Sequence, residues 1–286
     1  MLLGLAAALT AAGLYGVAAV LQASGARQVA RASGLDPRVL VRILRQPPAA
    51  AALVLMLTGF LLHLLSVRLV PLFLAQAGIA VSLVVTALLA VFRFGERLSR
   101  TECVSVGAVI AGLVLLSASS GEVGNGDGGS IPWALFAAIV VIAALAWVAG
   151  RRRGPSSTAA LGLLAGFGYA IVGISARLLP DFQPLHLVAS PATWSLGIGG
   201  SLAFFLYSLA LQRGAVTLAT TPMIVTQTVT PAAVGVLLLG DGVRPGWAVA
   251  AAVGFVVTVA AATALVRFEG AHQGASPAAA PHPTNG

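Results

Sequence analysis

An all-α fold, a polytopic transmembrane helical bundle of about nine spans, is what the sequence predicts. Three observations predict it. Of the 286 residues, 58% are hydrophobic and only 8% charged, whereas a soluble domain is roughly one quarter charged. The mean hydropathy is +0.98. The apolar residues also come in blocks of about 20, the length a helix needs to cross the hydrocarbon core of a bilayer.

In chain order the blocks fall at 2–24, 47–67, 70–92, 103–119, 132–149, 157–178, 190–211, 214–239 and 246–267. The first has no basic leader, and its apolar character runs past the length of a signal-peptide core, so it reads as a retained helix. The loop 25–46 has no apolar run. It suits a short amphipathic helix at the inner surface, with its arginines toward anionic headgroups. Residues 120–131 are Gly-rich and read as an outer loop. The tail 268–286, rich in Ala and Pro, is expected to be disordered in the cytoplasm, with His272 and His282 solvated. The domain plan is a first repeat of four spans (1–119), the outer loop (120–131), a second repeat of five spans (132–267) and the tail.

All sixteen basic residues are Arg, and they sit in the short connections. With the N-terminus outside and the C-terminus inside, thirteen lie on the inner side. They are Arg27, Arg31, Arg38, Arg42, Arg45, Arg93, Arg97, Arg100, Arg151, Arg152, Arg153, Arg213 and Arg267. Only Arg68, Arg177 and Arg244 lie outside. The positive-inside rule selects that orientation in the cell membrane. The net charge of +8 is thereby accounted for by topology, and no nucleic-acid partner is expected. Cys103 is the only cysteine, which excludes an intrachain disulfide and any multi-cysteine metal site.

Two stretches share a plan. An apolar run opened by Pro71 ends in Gly95-Glu96-Arg97-Leu98-Ser99, and one containing Pro222 ends in Gly240-Asp241-Gly242-Val243-Arg244. Another apolar run follows each. Five spans separate the two turns. Because five is odd, they face opposite sides, which is the inverted-topology repeat of secondary transporters. The plainer reading is that Gly-acid pairs merely cap helix ends. The basic loop 25–46 stands where a fifth helix of the first half would be.

Several motifs resemble the drug/metabolite transporter superfamily and its EamA-like members. They are Gly95 through Ser99 followed by Gly107 and Gly112, Val70-Pro71-Leu72 leading into Gly78, and Leu209, Leu211 and Gln212 running to Pro222. The nine-span form with a basic loop after the first helix looks most like the NIPA-type magnesium transporters. The resemblance spans residues 5–267 and implies transport by alternating access. NIPA-type proteins carry an acidic residue in the second span, where this chain reads Gly59-Phe60-Leu61-Leu62-His63.

Polar side chains inside a span are costly and tend to face a cavity or another helix. The candidate substrate-binding residues are Gln76 and Ser82 in one half and Thr226, Gln227 and Thr230 in the other, with Thr228 between them. Tyr15 and Tyr169, deep in their spans, join them. Ser82 and Gln227 coincide at a 145-residue offset. Pro231 frees the Gln227 carbonyl to face a cavity. Each Ser or Thr has a plainer reading, a bond to its own helix. His63 is a candidate for gating or proton coupling, or else an interhelical hydrogen bond.

All eight acidic residues, Asp36, Glu96, Glu102, Glu122, Asp127, Asp181, Asp241 and Glu269, lie away from the span centres. A neutral or zwitterionic solute therefore suits the pathway best, with a divalent cation held only by carbonyl, amide and hydroxyl oxygens as the alternative. A non-transporting subunit, or a partner in lipid-carrier translocation, is a third reading. No cofactor, metal site or catalytic cluster is expected, and so no enzyme. The partners implied are a small-molecule or ion substrate and the lipid bilayer, and a homodimer is compatible with the sequence.

Overall fold

The computed structural model describes residues 2–27, 41–42, 44–94, 100–124, 129–152, 154–180, 183–214 and 216–275. The amphipathic segment expected within 25–46 and the phrase Gly95 through Ser99 fall mainly outside these residues, as do Asp36, Glu96, Asp127, Asp181 and His282.

The described residues form an all-α bundle. Its helices are α1 (Leu2–Arg27), α2 (Pro47–Leu69), α3 (Leu72–Phe94), α4 (Arg100–Ser119), α5 (Ile131–Arg151), α6 (Pro155–Arg177), the short α7 (Pro184–Ala189), α8 (Pro191–Arg213), α9 (Val216–Leu238) and α10 (Ala248–Ala275). Proline stands at the first turn of α2, α5, α6, α7 and α8. There its missing N–H has no helical partner to lose. Six segments are long and apolar enough to cross a membrane: Leu2–Gln22, Pro47–Leu69, Ile131–Arg151, Pro155–Arg177, Pro191–Arg213 and Leu218–Leu238. Leu72–Ser82, Cys103–Ser119 and Ala248–Ala264 are shorter apolar helices. α10 runs on to Ala275, into the segment expected to be disordered. No proline interrupts the chain between Pro245 and Pro277, and helix formers such as Ala and Glu269 carry the helix past the apolar run.

Packing follows a plan that recurs. α1 lies along α2 and α3, while α6 lies along α8 and α9. α3 meets α4 as α9 meets α10. Between the two sets, α3 packs on α9 and α4 on α10, and α1 touches α8 as α2 touches α6. α5 packs only on α6 and α8 among these strong contacts, and it exposes Trp133, Val140, Val141, Leu145 and Trp147.

With no aqueous drive to bring helices together in lipid, close approach depends on small residues. Gly162 shows why: a Cβ there would overlap the backbone of Ala219. Across the α4–α10 contact, a Cβ on Gly254 would stand 3.0 Å from the Gly112 carbonyl oxygen. The sequence spends glycines at such crossings and leaves larger apolar side chains to face lipid.

Candidate functional site

The two helix sets meet along a seam lined by the few buried polar side chains. At one end of it three segments converge on Asp241, 4% exposed, at the turn after α9. Its Oδ2 accepts from the Leu72 amide at 2.6 Å, and its Oδ1 accepts from the Gly124 amide at 2.9 Å and from Arg177 at 2.8 Å. Arg177 also donates to the Gly124 carbonyl at 3.0 Å and to the Val67 carbonyl. Strand-like pairing adds to this knot. Gly121 donates to Gly242, Gly242 to Glu122, and Arg244 to Ser119. Arg68 donates to the carbonyls of Leu179 and Pro180. A buried charge pair is stabilising only when its remaining lone pairs and protons find partners, and here backbone groups supply them.

One turn below the knot, His63 of α2 and Gln76 of α3 are 3% and 2% exposed. Their Nε2 atoms lie 3.4 Å apart. Gln76 occupies the space beside Gly173 of α6, where a Cβ would have stood. The imidazole's other nitrogen, Nδ1, has no hydrogen-bond partner, and neither has the hydroxyl of Ser66, 0% exposed and nearer the knot on α2. Tyr169, a turn below Gly173, buries a hydroxyl that makes no hydrogen bond of normal length, although Gln22 lies close enough to act on it. The ring of Tyr15 packs against Gly59, one turn from His63.

Towards the opposite end the described contacts include no ion pair. Gln22 of α1 donates to the Ser208 hydroxyl of α8 at 2.9 Å, and the Tyr207 hydroxyl meets that of Thr220 at 2.8 Å. Arg213 donates to the Gly150 carbonyl at 2.9 Å.

The structure brings Gln76 and His63 together beside Gly173, with Tyr15 a turn away, while Tyr169 is turned to Gln22. The threonine run of α9 is distributed differently. Thr226 bonds the carbonyls of Pro222 and Met223 in its own helix, and reaches Leu163 of α6. Gln227 and Thr230 are half-buried, while Thr228 is fully buried with an unpartnered hydroxyl. α9 continues as a helix through Pro231. Ser82 is half-buried on α3 and lies by Gly16 of α1, whose Cβ would meet the Ser82 carbonyl.

Compared with protein-family models, with curated proteins and with solved structures, the chain matches none. Length, apolarity and packing of the spans decide its class. The chain is a polytopic helical membrane protein.

Sequence reasoning did not single out Gln22, Ser66 or Ser208. It read Arg177 only as a topology marker and Asp241 only as a turn. Gln22 does carry a signal, as a lone amide near the end of an apolar run. Nothing local marks Arg177 and Asp241 as partners, because one closes α6, the other lies in the turn after α9, and they meet only after the bundle closes.

Proposed function

We propose that the chain is a secondary transporter of the drug/metabolite kind, moving a small neutral or zwitterionic solute across the cell membrane by alternating access. The recurrent packing plan carries the reading. The set α1, α2, α3 and α4 corresponds to α6, α8, α9 and α10, and the reciprocal contacts α1–α8 and α2–α6 are those a pseudo-twofold axis would generate. If all nine long helices cross the membrane, α6 begins five crossings after α1, and the two sets run in opposite senses. The helix without a counterpart is then α5, Ile131–Arg151, and the partition becomes four, one and four. On this reading 2–27 corresponds to 155–177, and the unpaired helix is α5 rather than one missing at loop 25–46.

The knot gathers Arg68, Arg177 and Arg244, the three arginines assigned to the outside, at one end. This supports an outward-facing knot with the N-terminus outside and the C-terminus inside. Among the described residues no three His, Cys, Asp or Glu side chains converge, which favours an uncharged cargo over a divalent cation. In the described part of the seam His63 meets Gln76 and Asp241 meets Arg177, neither of them a nucleophile, which favours transport over catalysis.

The test needs no substrate. In a Cys103→Ser background, a cysteine replacing Gln76 is labelled with a membrane-impermeant maleimide applied to either face of sealed vesicles. Labelling from both faces is expected, with labelling from the Arg213 side abolished when a Gln22→Cys/Ser208→Cys disulfide locks that end. Labelling from one face only, unaffected by the lock, would count against alternating access.

A further inference from the structure

The geometry points to a binding subsite for an uncharged hydroxyl- or amide-bearing solute, built by His63, Ser66 and Gln76. It rests on the transporter reading above and narrows its cargo. Three observations carry it.

First, His63 and Ser66 are both more than nine-tenths buried, and each leaves a polar atom without a partner. Leaving such groups unmet is destabilising unless something else satisfies them. A helical serine ordinarily bonds a carbonyl of the preceding turn, as Ser119, Ser120 and Ser201 do here. Ser66 does not.

Second, the pair His63 and Gln76 is ambivalent. If the Gln76 amide donates to Nε2, the imidazole proton sits on Nδ1, which is then a donor. If the amide is turned so that its oxygen accepts from Nε2–H, Nδ1 becomes an acceptor. The free position can therefore meet either partner of a hydroxyl or an amide, as can the hydroxyl of Ser66.

Third, among the described residues the ionic groups near the subsite are already engaged. Arg177 and Asp241 are bonded to each other and to backbone groups, with side chains 7% and 0% exposed, and Arg68 donates to the carbonyls of Leu179 and Pro180. A carboxylate or ammonium in the seam would have to draw one of them out of these bonds to find a counter-charge, which a low-dielectric site penalises strongly.

The experiment is counterflow into proteoliposomes of the full chain. The uncharged probes are radiolabelled mannitol, uridine and nicotinamide. Alanine serves as zwitterion, lactate as anion, choline as cation, and magnesium is followed with an entrapped dye. The expected result is saturable uptake of at least one uncharged probe, reduced about tenfold in His63→Leu and less in Ser66→Ala, the scale of one or two lost buried hydrogen bonds. His63→Gln, which retains a donor and an acceptor, should keep more of the activity than His63→Leu. Only variants that elute as the parent on size exclusion are compared.

Uptake of an uncharged probe that the His63 and Ser66 substitutions leave unchanged would overturn the subsite. Saturable uptake confined to alanine, lactate, choline or magnesium would overturn the uncharged cargo and leave the transporter standing. No uptake of any probe, together with one-sided labelling at position 76, would remove the transporter reading itself.

Discussion

The two ends of the seam are held shut by different chemistry. At one end a single carboxylate, Asp241, collects an arginine and two backbone amides from three separate segments, and strand-like pairing surrounds it. At the other, closure between the two helix sets rests on Gln22 with Ser208, a bond between neutral groups. The difference is one of cooperativity. Removing either member of the Arg177–Asp241 pair strands a buried charge, so the end fails as a unit. A neutral amide–hydroxyl bond contributes about 1 kcal/mol and is lost alone. The neutral end is therefore the one expected to part first.

The largest effect should come from breaking the knot. Asp241→Ala leaves the Arg177 guanidinium buried without its counter-charge, together with the amides of Leu72 and Gly124. The expected loss is about 3–5 kcal/mol, read as a lowered Tm of the purified protein. A Tm fall no greater than that of Ser208→Ala would mean that the knot does not hold its end together.

The crossings between the ends should respond next. Gly166→Ala places a methyl against Met223 and Thr226, where the helices already touch. A loss of about 1–3 kcal/mol is expected from overpacking. Tolerance of alanine there would show that α6 and α9 can separate cheaply, and would weaken the contrast between ends and middle.

The smallest effect belongs to the neutral end. A double-mutant cycle on Gln22→Ala and Ser208→Ala should give a coupling of about 1 kcal/mol, measured as a difference in unfolding free energy. A coupling as large as that between Arg177 and Asp241 would erase the asymmetry on which the order of opening depends.

Much of the fold was legible in the sequence because the bilayer imposes one dominant rule, a run of apolar residues for each crossing. Blocks such as 47–67 and 190–211 correspond closely to Pro47–Leu69 and Pro191–Arg213. The site was legible in part. Gln76 and His63 stand out as lone polar side chains in apolar runs, and they do meet. The threonine run at 226–230 stood out more and proved less concentrated, because Thr226 satisfies itself on its own helix. A side-chain oxygen that can reach the preceding turn gives no outward sign of whether it does so.

The sequence by itself determined that this chain is a membrane-embedded helical bundle, where its helices begin, and that no acidic side chain lies at a span centre. These follow from composition and local periodicity, which act on each segment independently. Which helices would be partners was decided by the tertiary structure alone. That choice joined Arg177 to Asp241 and brought His63 to Gln76 over Gly173. Pairing depends on close approach at particular glycines and on donors meeting acceptors across the seam, and those energies exist only when distant segments share one space.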